Sequence, residues 1–260
     1  MSLSSRAADA AALLVEAHRS GRPIDRLPPG CRPASFDEAH AIQDVVTRSL
    51  GPVLGWKVGQ GSPEIAPSCA PVYAGRLYPG GARLSLSHYR GAALEIEFAF
   101  EIGHDLPPLD LPPSLGRTYS YEQVLNAIAA FRPCIELQGS RYRDTRLVTP
   151  EENLADGNAN GALILGEPIT DWRRIDFRRQ PVRLLIGGVE RQAALDSHPA
   201  GDPLTLVHWL ANHLAARDGG LRKGQVVTTG SLDGATPVEG GPIEALGDWA
   251  SLGTVALTLV

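Results

Sequence analysis

From Leu94 to Ile102 the chain alternates strictly, with Leu94, Ile96, Phe98, Phe100 and Ile102 apolar and Glu95, Glu97, Ala99 and Glu101 between them. Successive side chains of a strand point to opposite faces, so the stretch predicts a strand with one apolar face and one acidic face. Carboxylates two residues apart along a strand lie ~7 Å apart. They repel one another unless they face water or converge on a cation. A further carboxylate, Glu136, sits inside another apolar run, Pro133-Cys134-Ile135-Glu136-Leu137. Two readings follow. The acidic face is a solvated strand surface, or Glu95, Glu97 and Glu136 form an all-oxygen site for a hard divalent cation such as Mg²⁺ or Mn²⁺. Ala99 beside the pair and Gly91 before it leave room for the second reading.

At 260 residues, with 43% hydrophobic and 20% charged residues, the chain has the makings of one large domain with a real core. Its 28 glycines and 21 prolines against 6% aromatics favour many turns and short strands over a helical bundle. A net charge of −5 and scattered arginines argue against a nucleic-acid partner. Cys31, Cys69 and Cys134 are odd in number and far apart, the pattern of reduced thiols in a cytoplasmic protein. No stretch approaches a membrane span or a signal peptide. The histidines show no ligand spacing, and no Cys/His cluster of zinc type is visible.

Residues 1–52 read as a helical N-terminal region. One helix, capped by Ser4 or Ser5, runs to about His18. A Pro/Gly-rich linker spans Gly21 to Pro33, and a second helix opens at Ser35 with Glu38 completing a capping box. Residues 53–260 read as the β domain. Apolar runs at 53–58, 83–86, 94–102, 134–138, 162–165, 182–189, 226–230 and 253–259 predict strands, and helices are expected over Ser120–Phe131 and Leu204–Ala216. The fold class expected is α+β, a mixed and mostly antiparallel β core with attached helices.

Other residues stand out less sharply. Lys57, in Gly55-Trp56-Lys57-Val58-Gly59, is either a snorkelling lysine or a cation placed for substrate binding or proton exchange. Arg141 is either a bidentate clamp for a substrate carboxylate or the partner of Asp144 or Glu97. Asp156-Gly157-Asn158-Ala159-Asn160-Gly161 is a polar turn from which Asn160 could offer an amide. Thr228-Thr229-Gly230-Ser231 ends a strand, where hydroxyls and backbone N–H groups are well presented.

Taken in order, seven segments resemble the hydratase and decarboxylase branch of the fumarylacetoacetate hydrolase superfamily. They are Ala39-His40-Ala41-Ile42-Gln43, Gly55 to Gly59, Glu95 to Phe100, Ile135 to Arg141, Asp156 to Gly166, Trp209-Leu210-Ala211-Asn212 and Gly224 to Ser231. The resemblance implies a β-roll or distorted barrel with a helical N-terminal part, assembled as a homo-oligomer. It implies Mg²⁺ or Mn²⁺ on Glu95, Glu97 and Glu136, with Lys57 over the substrate and Asn160, Thr229 and Ser231 lining its pocket. The implied activity is metal-dependent hydration of a short unsaturated 2-oxo or 2-hydroxydienoic acid. A 4-oxalocrotonate-type decarboxylase is the alternative, and a noncatalytic oligomer partner or small-acid-binding protein is the alternative from another class. Hydrolytic cleavage of acylpyruvates ranks last, because no acid–histidine pair is evident in the N-terminal part. The chain departs from the family pattern at Gln60-Gly61-Ser62, at Tyr78-Pro79-Gly80-Gly81 and over 195–202, segments expected to form the lid and distal pocket.

Overall fold

The alternating stretch forms β5 (Ala93–Ile102), paired antiparallel with β6 (Ile128–Gln138) in a register that sets Glu95 opposite Glu136 and Phe100 opposite Phe131. The computed structural model describes residues 3–62, 64–109, 118–195, 198–217 and 219–260. Around this pair an eight-stranded sheet is built from β1 (Val53–Gly59), β2 (Ser68–Tyr73), β3 (Leu77–Pro79), β7 (Asn160–Leu165), β10 (Val226–Ser231) and β11 (Thr236–Pro237). Its order is β2-β1-β10-β5-β6-β7-β3, with β11 also on β5. A second sheet of five strands runs β4-β13-β12-β8-β9, from β4 (Ala82–Leu84), β8 (Val182–Ile186), β9 (Val189–Ala194), β12 (Ile243–Asp248) and β13 (Thr254–Leu259). Among the described strands, only β1–β10, β3–β7 and β4–β13 pair in parallel. The architecture is mixed α+β with a curled sheet and few helices, as expected.

The main core lies between the two sheets. Leu94, Ile96, Phe98 and Phe100 of β5 are fully buried there with Leu184, Val255, Leu257 and Leu259 of the second sheet. Phe98, Phe100, Phe131 and Phe177 interlock at centroid separations of 5.1–6.0 Å, edge-on or tilted as aromatic quadrupoles prefer. Helix α5 (Leu204–Ala215) covers this core with Leu206, Val207, Leu210 and Leu214.

Helix α3 (Tyr121–Ala127) starts at Ser120 with a full capping box to Gln123, but it is shorter than its periodicity predicts. Ile128 and Phe131 satisfy a helical stripe, yet they pair with Ile102 and Phe100 as the first residues of β6. Local propensity is a weak prior, and long-range ladder pairing overrides it here.

Helix α1 (Leu3–Ser20) begins before the expected caps Ser4 and Ser5. Helix α2 (Phe36–Leu50) has Ser35 as its N-cap, while the Glu38 carboxylate accepts from Ala34 N–H, one residue earlier than a capping box requires. Both helices pack with Tyr142, Leu154 and Ala155, so residues 1–52 share a core with the segment around α4 (Pro150–Ala155). Arg26 of the linker grips the buried Glu152 of α4 through two bonds to Oε2 at 2.9 and 2.7 Å.

His18, near the end of α1, meets Tyr73 edge-on at 6.0 Å. Burial first, then Arg141 and Arg76, push its pKa down to about 2. The unfolded chain takes a proton at this histidine near pH ~6.5 while the folded chain stays neutral, so the stability it confers is present above that pH. That stability is lost as pH falls toward 2. His18→Gln is therefore expected to flatten the decline of melting temperature between about pH 6.5 and pH 5 by roughly 1–2 kcal/mol of stability. Identical acid profiles of the two proteins in scanning calorimetry would count against this.

Candidate active site

Three strands bring the three glutamates and Lys57 together. Lys57 projects from β1, Glu95 and Glu97 from β5 and Glu136 from β6, and carboxylate oxygens of the three glutamates lie within 4.8 Å of one another. Lys57 Nζ donates to Glu136 Oε1 at 2.6 Å and to the Asn158 carbonyl at 3.1 Å. Asn160 Nδ2, at the start of β7, donates to the same Glu136 oxygen at 3.3 Å. The acidic face of β5 is not a solvated surface here: Glu97 is 1% exposed and Glu136 fully buried. Glu101 behaves differently and pairs with Arg132 at 2.8 Å, as an ordinary strand-end charge.

Like charges in so dry a place perturb one another. Burial and then Glu136 and Glu95 push the Glu97 carboxyl well above the usual carboxylate range. Burial and then Glu136 raise Glu95 as well. Burial alone would discharge Lys57, but the pull of Glu136, Glu95 and Glu97 outweighs it and holds the ammonium above its ordinary pKa.

Glu97 Oε1 and Glu136 Oε2 are buried with no hydrogen-bond partner among the described residues. Orphaned carboxylate oxygens cost several kcal/mol by general estimates, on the order of 2 or more each. Two such oxygens in one acidic cluster could serve as donors to a hard cation. The residues present thus fit Mg²⁺ or Mn²⁺ better than zinc, since all donors are carboxylate oxygens.

The backbone around the cluster is shaped for it. A bulge in the β10–β5 ladder between Thr228 and Ser231 turns Gly230 N–H onto Glu97 Oε2 at 3.0 Å. Gly230 has φ +89°, a conformation that side chains resist. Thr229 Oγ1 is turned inward to the Phe98 carbonyl at 3.1 Å, and Ser231 Oγ donates to the Gly234 carbonyl at 2.5 Å. Of these two, Ser231 is half-buried beside the cluster, opposite Glu97, while Thr229 acts through the strand it holds.

Arg141 is not a free clamp. Its Nε donates to Asp156 Oδ1 at 2.5 Å, and Nη1 donates to the Gly139 and Asn160 carbonyls at 2.7 Å each. Nη2 donates to the Asp156 carbonyl. The expected partners are otherwise engaged, since Asp144 pairs with Arg146 and Glu97 with Gly230. Arg141 therefore builds the turn that presents Asn160. Arg141→Ala should cost ~3–5 kcal/mol in urea denaturation, because it strands the buried Asp156. Arg143→Ala, which breaks an exposed pair with Asp25, should cost less than ~1 kcal/mol. Equal costs would remove the structural role assigned to Arg141.

Sequence reasoning missed Asp156 as an anchor and the Asn158 carbonyl as a lysine acceptor. The signal available was the polar turn itself, where Asn158 and Ala159 adopt φ of 51° and 54°. The segments that depart from the family pattern take the following places. Tyr78 and Pro79 form the edge strand β3, because the Leu77–Pro79 backbone pairs with β7. His198 is buried against Phe98 and bonded to the Thr229 carbonyl at 3.1 Å. Asp196 and Ser197 of the 195–202 segment lie outside the described residues. Folding also unites His40, Cys69 and His213, which spacing along the chain did not suggest. Beside the acidic cluster opens a cleft of about 420 Å³ whose lining includes Gln138, Thr149, Asn153 and Asn158.

The sequence profile described as fumarylacetoacetate (FAA) hydrolase C-terminal matches residues 77–254. The chain belongs to this family. It is 26% identical over 246 residues to a 2-keto-4-pentenoate hydratase of Paraburkholderia xenovorans (strain LB400), covering 90% of this chain and 88% of that one. It is 28% identical over 249 residues to the TodF product hydratase of Pseudomonas putida, with 90% and 88% covered. Among solved structures, 4-oxalocrotonate decarboxylase from Pseudomonas putida G7, complexed with magnesium and adipate, superposes with a TM-score of 0.85 at 21% identity over 98% of both chains. The same decarboxylase has been solved with calcium and acetate. The relatives named here are hydratases and a decarboxylase, and no helix among the described residues of this chain is long and apolar enough to cross a membrane.

Proposed function

We propose that this protein is a divalent-metal-dependent hydratase of a short unsaturated 2-oxo or 2-hydroxydienoic acid. The observation that carries the reading is the buried cluster of Glu95, Glu97 and Glu136 with two unpartnered oxygens and Lys57 Nζ in contact. These three glutamates would hold Mg²⁺ or Mn²⁺. Bound there, the cation supplies Lewis-acid polarisation of the substrate's carboxylate and C2 oxygen.

Lys57 acts at Nζ as the proton carrier between substrate carbons, oriented by Glu136 Oε1 and the Asn158 carbonyl. Asn160 braces the Glu136 oxygen that Lys57 uses, and Arg141 fixes Asn160 through its carbonyl. Ser231, at the half-buried rim, lines the substrate's approach. One feature supports hydration over decarboxylation: the curated relatives at 26% and 28% identity are hydratases.

Decarboxylation of a 2-oxo-enedioate is the second reading, favoured by the likeness to the decarboxylase over 98% of the chain. The test is loss of 2-hydroxypenta-2,4-dienoate absorbance with Mg²⁺, run beside CO₂ release from a 2-oxo-enedioate. Turnover of the first alone supports the hydratase; turnover of the second alone replaces it with the decarboxylase. Binding of 2-oxo acids with no turnover across both substrates would leave a noncatalytic scaffold. Homo-oligomerisation belongs to the same reading, and light scattering on the eluting protein measures it.

A further inference from the structure

We propose a second metal site, formed by His40 of α2, Cys69 of β2 and His213 of α5, that takes a thiophilic transition ion such as Zn²⁺ or Co²⁺. One ligand atom from each residue lies within 4.8 Å of the others. Cys69 is fully buried, His40 is 8% exposed and His213 half-buried. One sulfur and two imidazole nitrogens form a borderline-soft set that suits zinc and cobalt and suits magnesium poorly. The site is separate from the acidic cluster. Cys69 pairs with Val58 while Ala70 pairs with Lys57, so the thiol lies on the opposite sheet face from Lys57.

The surroundings set His40 up as a ligand. Gln43 Nε2 donates to the Leu154 carbonyl at 2.5 Å and to the Cys69 carbonyl at 3.3 Å, which fixes which end of the amide faces His40. Gln43 Oε1 then accepts from His40 Nδ1–H at 3.0 Å, leaving the Nε2 lone pair for an ion. A metal-binding histidine characteristically has its other ring nitrogen held in this way. His213 is stacked on Trp209 at 4.6 Å, which restrains its ring. Burial, then Arg217 and His40, push its pKa down to about 4, so it is in the neutral form a ligand needs.

Two features oppose the ion, and both are testable. Arg217 Nη1 donates to His213 Nε2 at 3.1 Å, so its guanidinium competes for that lone pair and repels a cation. Arg217 also pairs with Asp44, which can retain it after it releases His213. The Cys69 thiol is raised to about 12 by burial, and binding forms the metal–sulfur bond by displacing its proton to solvent. Since the ligands come from α2, β2 and α5, a bound ion would tie the N-terminal helices to the sheet.

The full-length protein, stripped with chelator and supplied with excess Mg²⁺, is titrated with Co²⁺. The expected result is a sulfur-to-cobalt charge-transfer band that saturates at one equivalent, a signal that an all-carboxylate centre cannot produce. The band should vanish in Cys69→Ser. Binding should weaken about tenfold or more in His40→Gln and His213→Gln, and tighten in Arg217→Gln. The histidine variants keep the test open if Cys69→Ser fails to fold. Absence of the band in the native protein, its persistence in folded Cys69→Ser, or weaker binding in Arg217→Gln would each overturn the site.

Discussion

Glu97→Gln is expected to abolish turnover, by on the order of 10³-fold, and at the same time to make the metal-free protein more stable. The two effects share one cause. Without a cation, Glu97 is a fully buried carboxyl beside Glu136 and Glu95, and burial and those neighbours oppose its charge. The glutamine amide oxygen can still accept from Gly230 N–H, and its NH₂ can donate to a neighbouring carboxylate. Relief of the like-charge contact should stabilise the metal-free fold by ~1–2 kcal/mol. Mg²⁺ should raise the melting temperature of the native protein but leave the variant nearly unmoved. A variant that is both less stable without metal and still stabilised by Mg²⁺ would remove Glu97 from the centre. Undiminished activity after exhaustive chelation would remove the metal role altogether.

Lys57→Met should lower activity by ~10²–10⁴-fold, the range for loss of a positioned proton carrier. Its effect on stability should run opposite to that of Glu97→Gln. The Lys57 side chain is only 13% exposed and is the cation facing three acidic groups. Methionine fills similar volume but leaves those carboxylates uncompensated, so the metal-free variant should lose ~3–5 kcal/mol. A divalent cation replaces the missing charge, so excess Mg²⁺ should recover most of that loss while activity stays low. Recovery of stability without activity separates proton transfer from simple charge balance. Near-native turnover in the variant would assign the proton transfers elsewhere.

Much of this site was legible in the chain. The period-two placement of Glu95 and Glu97 put them on one face whatever the rest of the fold did, and Glu136 in an apolar run marked a carboxylate that burial would make costly. Lys57 between Trp56 and Val58 was conspicuous for the same reason. The functions of Asn158 and Gly230 were not legible, because each acts through a backbone atom that every residue type carries. Arg141 showed its charge but not its partner, since Asp144 lies nearer in sequence than Asp156, the residue it binds. The C-terminal half of the expected 120–131 helix became strand because a partner in β5 was waiting for it.

What the sequence determined by itself was therefore local: alternation, turns, caps and the acidic face of one strand follow from backbone sterics and side-chain direction within a few residues. The tertiary structure alone decided which groups meet. Lys57 and Glu136 are 79 residues apart and touch because β1, β10, β5 and β6 are sheet neighbours. His40, Cys69 and His213 come from a helix, a strand and another helix and show no spacing rule. Local patterns are enforced by each residue's own geometry. Convergence depends on which distant surfaces exclude water together, and burial is also what turns three glutamates from a soluble strand face into a candidate metal centre.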